Sequence, residues 1–107
     1  MGKMLKKKKK VFFPKSLNLY RFIRLIVGED IADRRIAMAW HMDGKNFHEF
    51  RYGVYPVPRL EKLIELEKVL NVNRHLIFEV GSGVPAKKVF DLIRKKDLAG
   101  QKRLIFG

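Results

Sequence analysis

Residues 35–53, RIAMAWHMDGKNFHEFRYG, constrain the fold more than any other stretch of the chain. Ile36, Ala37 and Trp40 recur at i, i+1 and i+4, so they share one face of a helix. His41-Met42-Asp43-Gly44 interrupts that run. Phe47 and Phe50 then recur at i and i+3 and share one face of a second helix. Ala37 is small where two helices would cross closely, and the Asp43 carboxylate is placed to cap the second helix. The spacing predicts two short helices meeting at an angle across a turn.

A helix-turn-helix of this kind lays its second helix in the DNA major groove. The ordered residues resemble the phage-repressor, Cro-like (xenobiotic-response-element type) helix-turn-helix family. That family's pattern runs Leu-Ala, two variable residues, Leu-Gly-Val-Ser, an Ile-Ser pair and a closing Glu-x-Gly. Here Ile36-Ala37, Trp40-His41-Met42-Asp43, Phe47-His48 and Arg51-Tyr52-Gly53 stand in register, followed by Pro58, LEKLIELEKVL and Leu70-Asn71-Val72. The resemblance covers roughly Leu17 to Val80. It implies an all-α, five-helix, lambda-repressor-like bundle and a role in binding duplex DNA. Several positions depart from the pattern. His41 stands for a turn Gly whose backbone is often left-handed, Arg51 for Glu, and Glu67 for Ala. Asp33 occupies a position where the family often has a phosphate-contacting Gln, and the loop from Gly53 to Pro58 is one residue longer than the family's commonest form.

The remaining elements follow from the same periodicity. Leu19, Phe22, Ile23 and Ile26 predict a first helix through about Val27, with Ser16 as N-cap and Gly28 as stop. Asp30 is placed to cap the second helix, and Asp33 favours its positive end. The third helix is expected from Gly44 to about Tyr52, and Pro56 and Pro58 make the following stretch a loop. A fourth helix spans Leu60 to Leu70, and Asn73 caps a short fifth turn holding Leu76, Ile77 and Phe78. Gly81-Ser82-Gly83 reads as a flexible joint, after which Val89, Phe90, Leu92 and Ile93 mark an amphipathic helix. The organisation expected is a basic arm over 1–16, a DNA-binding domain over 17–80, and a hinge with a C-terminal helix and tail over 81–107 that serves dimerisation.

Charge is unevenly placed. Residues 1–24 hold nine Lys or Arg and no acid, against 15 and 11 in the remainder. A block of this kind repels itself until it meets a polyanion. Lys6, Lys7, Lys8, Lys9 and Lys10 are therefore candidate phosphate contacts, the alternative being a solubilising tail. With no cysteine, neither a disulfide framework nor a Cys-based zinc site can form. No apolar run reaches the length of a membrane span, and no signal-peptide core is seen, so a cytoplasmic protein with no membrane partner is expected.

Other constellations are weaker. His41, Asp43, His48 and Glu49 lack the spacing that puts two histidines on one helical face, so no metal or other cofactor is expected. Ser16 and Ser82, the only serines, have structural explanations, threonine is absent, and no enzyme activity is expected. LIFEV followed by Gly81-Ser-Gly83-Val-Pro-Ala86 imitates a dinucleotide fingerprint, but too little chain follows for the second strand that motif needs.

The function expected is that of a sequence-specific, repressor-like transcriptional regulator. With Phe47 and Phe50 inward, Lys45, Asn46, His48 and Glu49 point outward. Asn46 suits a bidentate contact to adenine, and Lys45 a guanine or a phosphate. Gly44 lets its backbone approach a phosphate, and Arg51 and Arg59 are further backbone contacts. Tyr52 and Tyr55 place hydroxyls within reach of phosphate or base edge, or are simply exposed loop tyrosines. Apolar residues left over at Phe90, Ile93, Leu104, Ile105 and Phe106 suggest a homodimer through residues 84–107, the competing outcome being that the segment folds back on its own bundle beside the fourth helix. Alternatives are an antitoxin-like protein-interaction module using that segment, or a DNA-binding fragment of a larger protein.

Removing residues 1–10 is expected to weaken binding to all duplexes. The slope of log K against log salt should flatten by about 0.9 for each phosphate that the lysines neutralise. Titrations at several salt concentrations measure that slope, and an unchanged slope would show that the lysines do not touch DNA.

Overall fold

A computed structural model describes residues 11–93, which form six helices and no strand. In chain order they are α1 (Pro14–Val27), α2 (Asp33–Ala39), α3 (Gly44–Arg51), α4 (Leu60–Leu70), α5 (Arg74–Gly81) and α6 (Ala86–Ile93). The all-α class expected from periodicity is the class observed. Lys6 to Lys10, and Leu104, Ile105 and Phe106, lie outside the described residues.

The core is built on α1, which packs against α4, α5, α6 and α3. Leu19, Phe22 and Ile23 are fully buried, as are Trp40, Phe50, Leu66, Leu70, Ile77 and Val80 from the helices around it. The aromatic rings form a continuous cluster. Phe47 and Phe50 lie 5.8 Å apart, with Trp40 edge-on to both at 6.2 and 5.8 Å and Tyr20 closing the other side. Offset and edge-on rings attract through their quadrupoles in addition to burying area.

Helix ends show where local chemistry was legible and where it was not. Asp43 accepts from the Lys45 amide at 2.8 Å and Asn73 from the His75 amide at 2.7 Å, both as expected of N-caps. Ser16 is not a cap: Pro14 opens α1 with Phe13 before it, where its missing N–H costs nothing. The Ser16 hydroxyl is instead buried within hydrogen-bond distance of the carbonyls of Phe13 and Tyr55, and its one proton, shared between them, ties α1 to the loop after α3. Asp30 does not cap α2 either; the N-cap is Ala32, with no side-chain hydrogen bond.

The Gly81-Ser82-Gly83 stretch is a closed turn and not a free joint. Gly83, at φ 116, donates to Val80 and Val84 donates to Glu79, the two bonds of a Schellman motif. Asn18, in the middle of α1, then holds both sides of the turn. Its amide nitrogen donates to Val80 at 3.0 Å and Val84 at 2.7 Å, and its oxygen accepts from the Ala86 amide at 2.8 Å. As a result α6 lies back on α1, Val89 and Ile93 are buried, and Phe90 packs against the core. Phe90 and Ile93, offered by the sequence as spare surface for a dimer, are consumed within the chain. Leu76 to Val80 are helical, so the strand of a dinucleotide fingerprint is absent.

Asn18→Ala removes three hydrogen bonds and is expected to cost about 3 kcal/mol at about 1 kcal/mol each. Amides of α6 should lose hydrogen-exchange protection before those of α4; uniform loss across both helices would contradict a local clamp. Phe47→Ala should cost about 3–5 kcal/mol in urea unfolding, since it empties a site at the centre of the cluster.

Candidate nucleic-acid interface

Among the described residues most of the candidates lie on α3, which a turn joins to α2. The turn follows α2 as a Schellman motif: Met42 donates to Ala37 and His41 to Met38. His41 occupies the left-handed position at φ 55, a conformation that costs a side chain about 1 kcal/mol or more. Lys62 from α4 compensates. Its ammonium donates to the carbonyls of Trp40 at 2.8 Å and His41 at 2.7 Å, while the Trp40 indole donates to the Lys62 carbonyl at 2.8 Å. Glu65 stands 3.1 Å from the same ammonium. The turn is thus clipped to α4 in both directions, and the cation sits on carbonyls left over at the end of α2.

Beyond the turn, α3 buries Phe47 and Phe50 and exposes Gly44, Lys45 and His48, with Asn46 and Glu49 half-buried. Open space surrounds the Gly44 α-carbon, so another backbone or a phosphate has room to approach. Asn46 turns toward the following loop, its amide nitrogen 3.4 Å from the Tyr55 hydroxyl. Asn46, Tyr55 and Arg59 share with His41 a depression of about 420 Å³ at the N-terminal end of α3. At the other end His48 and Tyr52 meet edge-on at 5.1 Å, and the Arg51 guanidinium lies 5.5 Å from the Tyr52 ring centre. The candidates therefore form two groups, one at each end of the helix, with Glu49 between them. Gly53, at φ 74, closes α3 and accepts from the Phe13 amide, bringing the start of α1 to this end.

Arg51 is not a free cation. It donates to Asp33 at 3.1 Å, and the same carboxylate takes Arg24 and the Tyr20 hydroxyl, the latter at 2.9 Å. Arg24 also donates to the carbonyls of Gly28 and Ile31, so it ties down the loop between α1 and α2. Burial pushes the Tyr20 hydroxyl above its ordinary pKa. Burial works against the Arg24 charge, but hydrogen bonding to Tyr20 and Asp33 outweighs it and the pKa is raised. Asp33 joins α1, α2 and α3 at one point.

The roles of four residues escape sequence reasoning. Asp33 reads there as a helix-end charge standing in place of a phosphate-contacting Gln, not as a tie between helices, and Lys62 carries no signal at all, because their partners lie on other elements. Arg34 and Arg35, exposed in the first turn of α2, have no motif of their own. Among the described residues no three His, Asp or Glu side chains gather to hold a metal ion.

Lys62→Met is expected to cost about 2 kcal/mol, the range for hydrogen bonds to a charged donor, because two carbonyls and the His41 backbone lose their support. Asp33→Ala should cost a similar amount, about 2 kcal/mol, by leaving Arg24 and Arg51 facing each other. Urea unfolding with constant m values measures both, and midpoints equal to the parent's would remove these groups from the scaffold. No family model, curated protein or solved structure matches this chain.

Proposed function

We propose that the chain is a sequence-specific duplex-DNA-binding regulator that uses α2 and α3 as a helix-turn-helix unit. One observation carries the reading: α3 seals Phe47 and Phe50 into the core while presenting Lys45, Asn46, His48 and Glu49 on its outer side. A short helix anchored on one side and polar on the other suits insertion into a major groove, where base edges are read by side-chain donors and acceptors. The formal charge of +13 supplies attraction to phosphates that any such reading needs. Asn46 is the base-reading candidate, and its contact with Tyr55 orients the amide and leaves the carbonyl oxygen available. Lys45 and Gly44 serve the phosphate or base nearest the helix start. Arg59 and Tyr55 face the backbone on one side, and Arg51 and Tyr52 on the other. Two copies on adjacent half-sites give such a short helix enough sequence to read, and the cytoplasm is where its DNA target would be met.

Asn46→Ala is expected to cost about 1–3 kcal/mol on a preferred duplex and much less on random DNA. The preferred duplex comes from selection out of a random pool with the full chain. Failure of any motif to enrich would contradict sequence-specific binding, and equal losses on both duplexes would remove Asn46 from the base-reading set. Sedimentation of the full chain with and without that duplex reports assembly; a monomer in both cases contradicts the two-copy reading.

A further inference from the structure

A cleft of about 660 Å³ lies between α1, the C-terminal end of α3 and the start of α6. Small-molecule sites occupy roughly 300–1,000 Å³. The ionic groups lining it are Arg21, Arg24, Arg51 and Lys87 against a single acid, Glu29. Leu17, Leu25 and Tyr52 contribute apolar and aromatic surface beside them. The cleft exists because α6 lies on α1: Asn18 pins the Ala86 amide, and Pro85 to Lys87 become a wall.

The four cations are committed to different degrees. Arg24 spends its donors on Tyr20, Asp33, Gly28 and Ile31. Arg51 bonds Asp33 yet keeps 48% of its side chain exposed. Lys87 stands 3.6 Å from Asp91 in an open pair across one helical turn, the weak class of ion pair. Arg21 has no hydrogen-bond or ion-pair partner among the described residues. The nearby Asp33 carboxylate is already shared by two arginines, so it does not neutralise the rim. A concave surface with one sign of charge and low-dielectric walls concentrates ions of the other sign.

We infer that this cleft binds a small organic anion. A carboxylate, sulfonate or phosphate head is taken by Arg21 and Lys87 with help from Arg51, and an aromatic or aliphatic body rests on Leu17, Leu25 and Tyr52. A guanidinium offers paired N–H donors to two oxygens of such a head, which gives direction as well as attraction. The apolar surface distinguishes this site from a simple phosphate contact, and the inference does not depend on the DNA reading.

Naphthalene sulfonate is a suitable probe, with naphthalene methanol as its uncharged counterpart and inorganic sulfate as the head without a body. Calorimetric titration of the full chain should show the sulfonate binding at least about tenfold more tightly than either control. Amide chemical shifts should move within Leu17–Leu25 and at Tyr52 and Lys87. The double variant R21A/K87A should weaken the probe by about tenfold or more while leaving the urea midpoint unchanged, since both side chains are exposed. The inference is overturned by equal binding of the neutral compound or of sulfate, or by shifts confined to Lys6–Lys10 or to Lys45–His48. Undiminished binding by the double variant would overturn it too.

Discussion

The contact on which the rest depends is the packing of Phe47 and Phe50 against Trp40 and Tyr20. A helix of eight residues has no stability of its own in water, so its rotation about its axis is set by whatever it buries. Two phenylalanines one turn apart, both sealed by aromatic edges, leave a single way for α3 to lie. Which side chains face outward, and hence every proposal about recognition, follows from that rotation. The Asp43 cap sets where the helix begins, and the Gly53 turn sets where it ends.

Around this centre the polar groups act as cross-ties between elements. The Trp40–Lys62 exchange joins the turn to α4, the Asp33 carboxylate joins three helices, Ser16 joins α1 to the loop after α3, and Asn18 joins α1 to α5 and α6. Each places a donor against carbonyls or a carboxylate that would otherwise be left short of partners away from water, where an unmade hydrogen bond costs more than a made one gains. The same residues set the limits of the candidate interface. Arg51 meets a ligand only while sharing itself with Asp33, and Asn46 does so with its amide already turned toward Tyr55.

How much of this was legible in the sequence depends on the range of the interaction. Helical class, the length of α4 and the caps at Asp43 and Asn73 were readable, because periodicity and capping act over a few residues. The left-handed position at His41 was also marked, by the family's glycine there. Ser16 misled because a serine after a proline looks like a cap, while its partner at Tyr55 is 39 residues away. That the segment after Gly83 folds back was one of two expected outcomes, but its docking on α1 and not beside α4 was hidden for the same reason: Asn18 and Ala86 are separated by 68 residues, and Gly-Ser-Gly reads locally as slack. For the candidate site, the outward set on α3 followed from the two phenylalanines. The engagement of Arg51 by Asp33 did not, since nothing in their spacing relates them.

The burial of Trp40 has a spectroscopic consequence. It is the chain's one indole, fully enclosed, with its N–H held by a backbone carbonyl and the Lys62 ammonium seated on its own carbonyl. Indole fluorescence therefore originates from the junction of α2, α3 and α4 and from nowhere else. Emission should be that of a shielded indole, poorly accessible to iodide or acrylamide. Molecules that settle on the outer side of α3 or beside α1 leave this environment dry, so a red shift signals that the junction itself has opened.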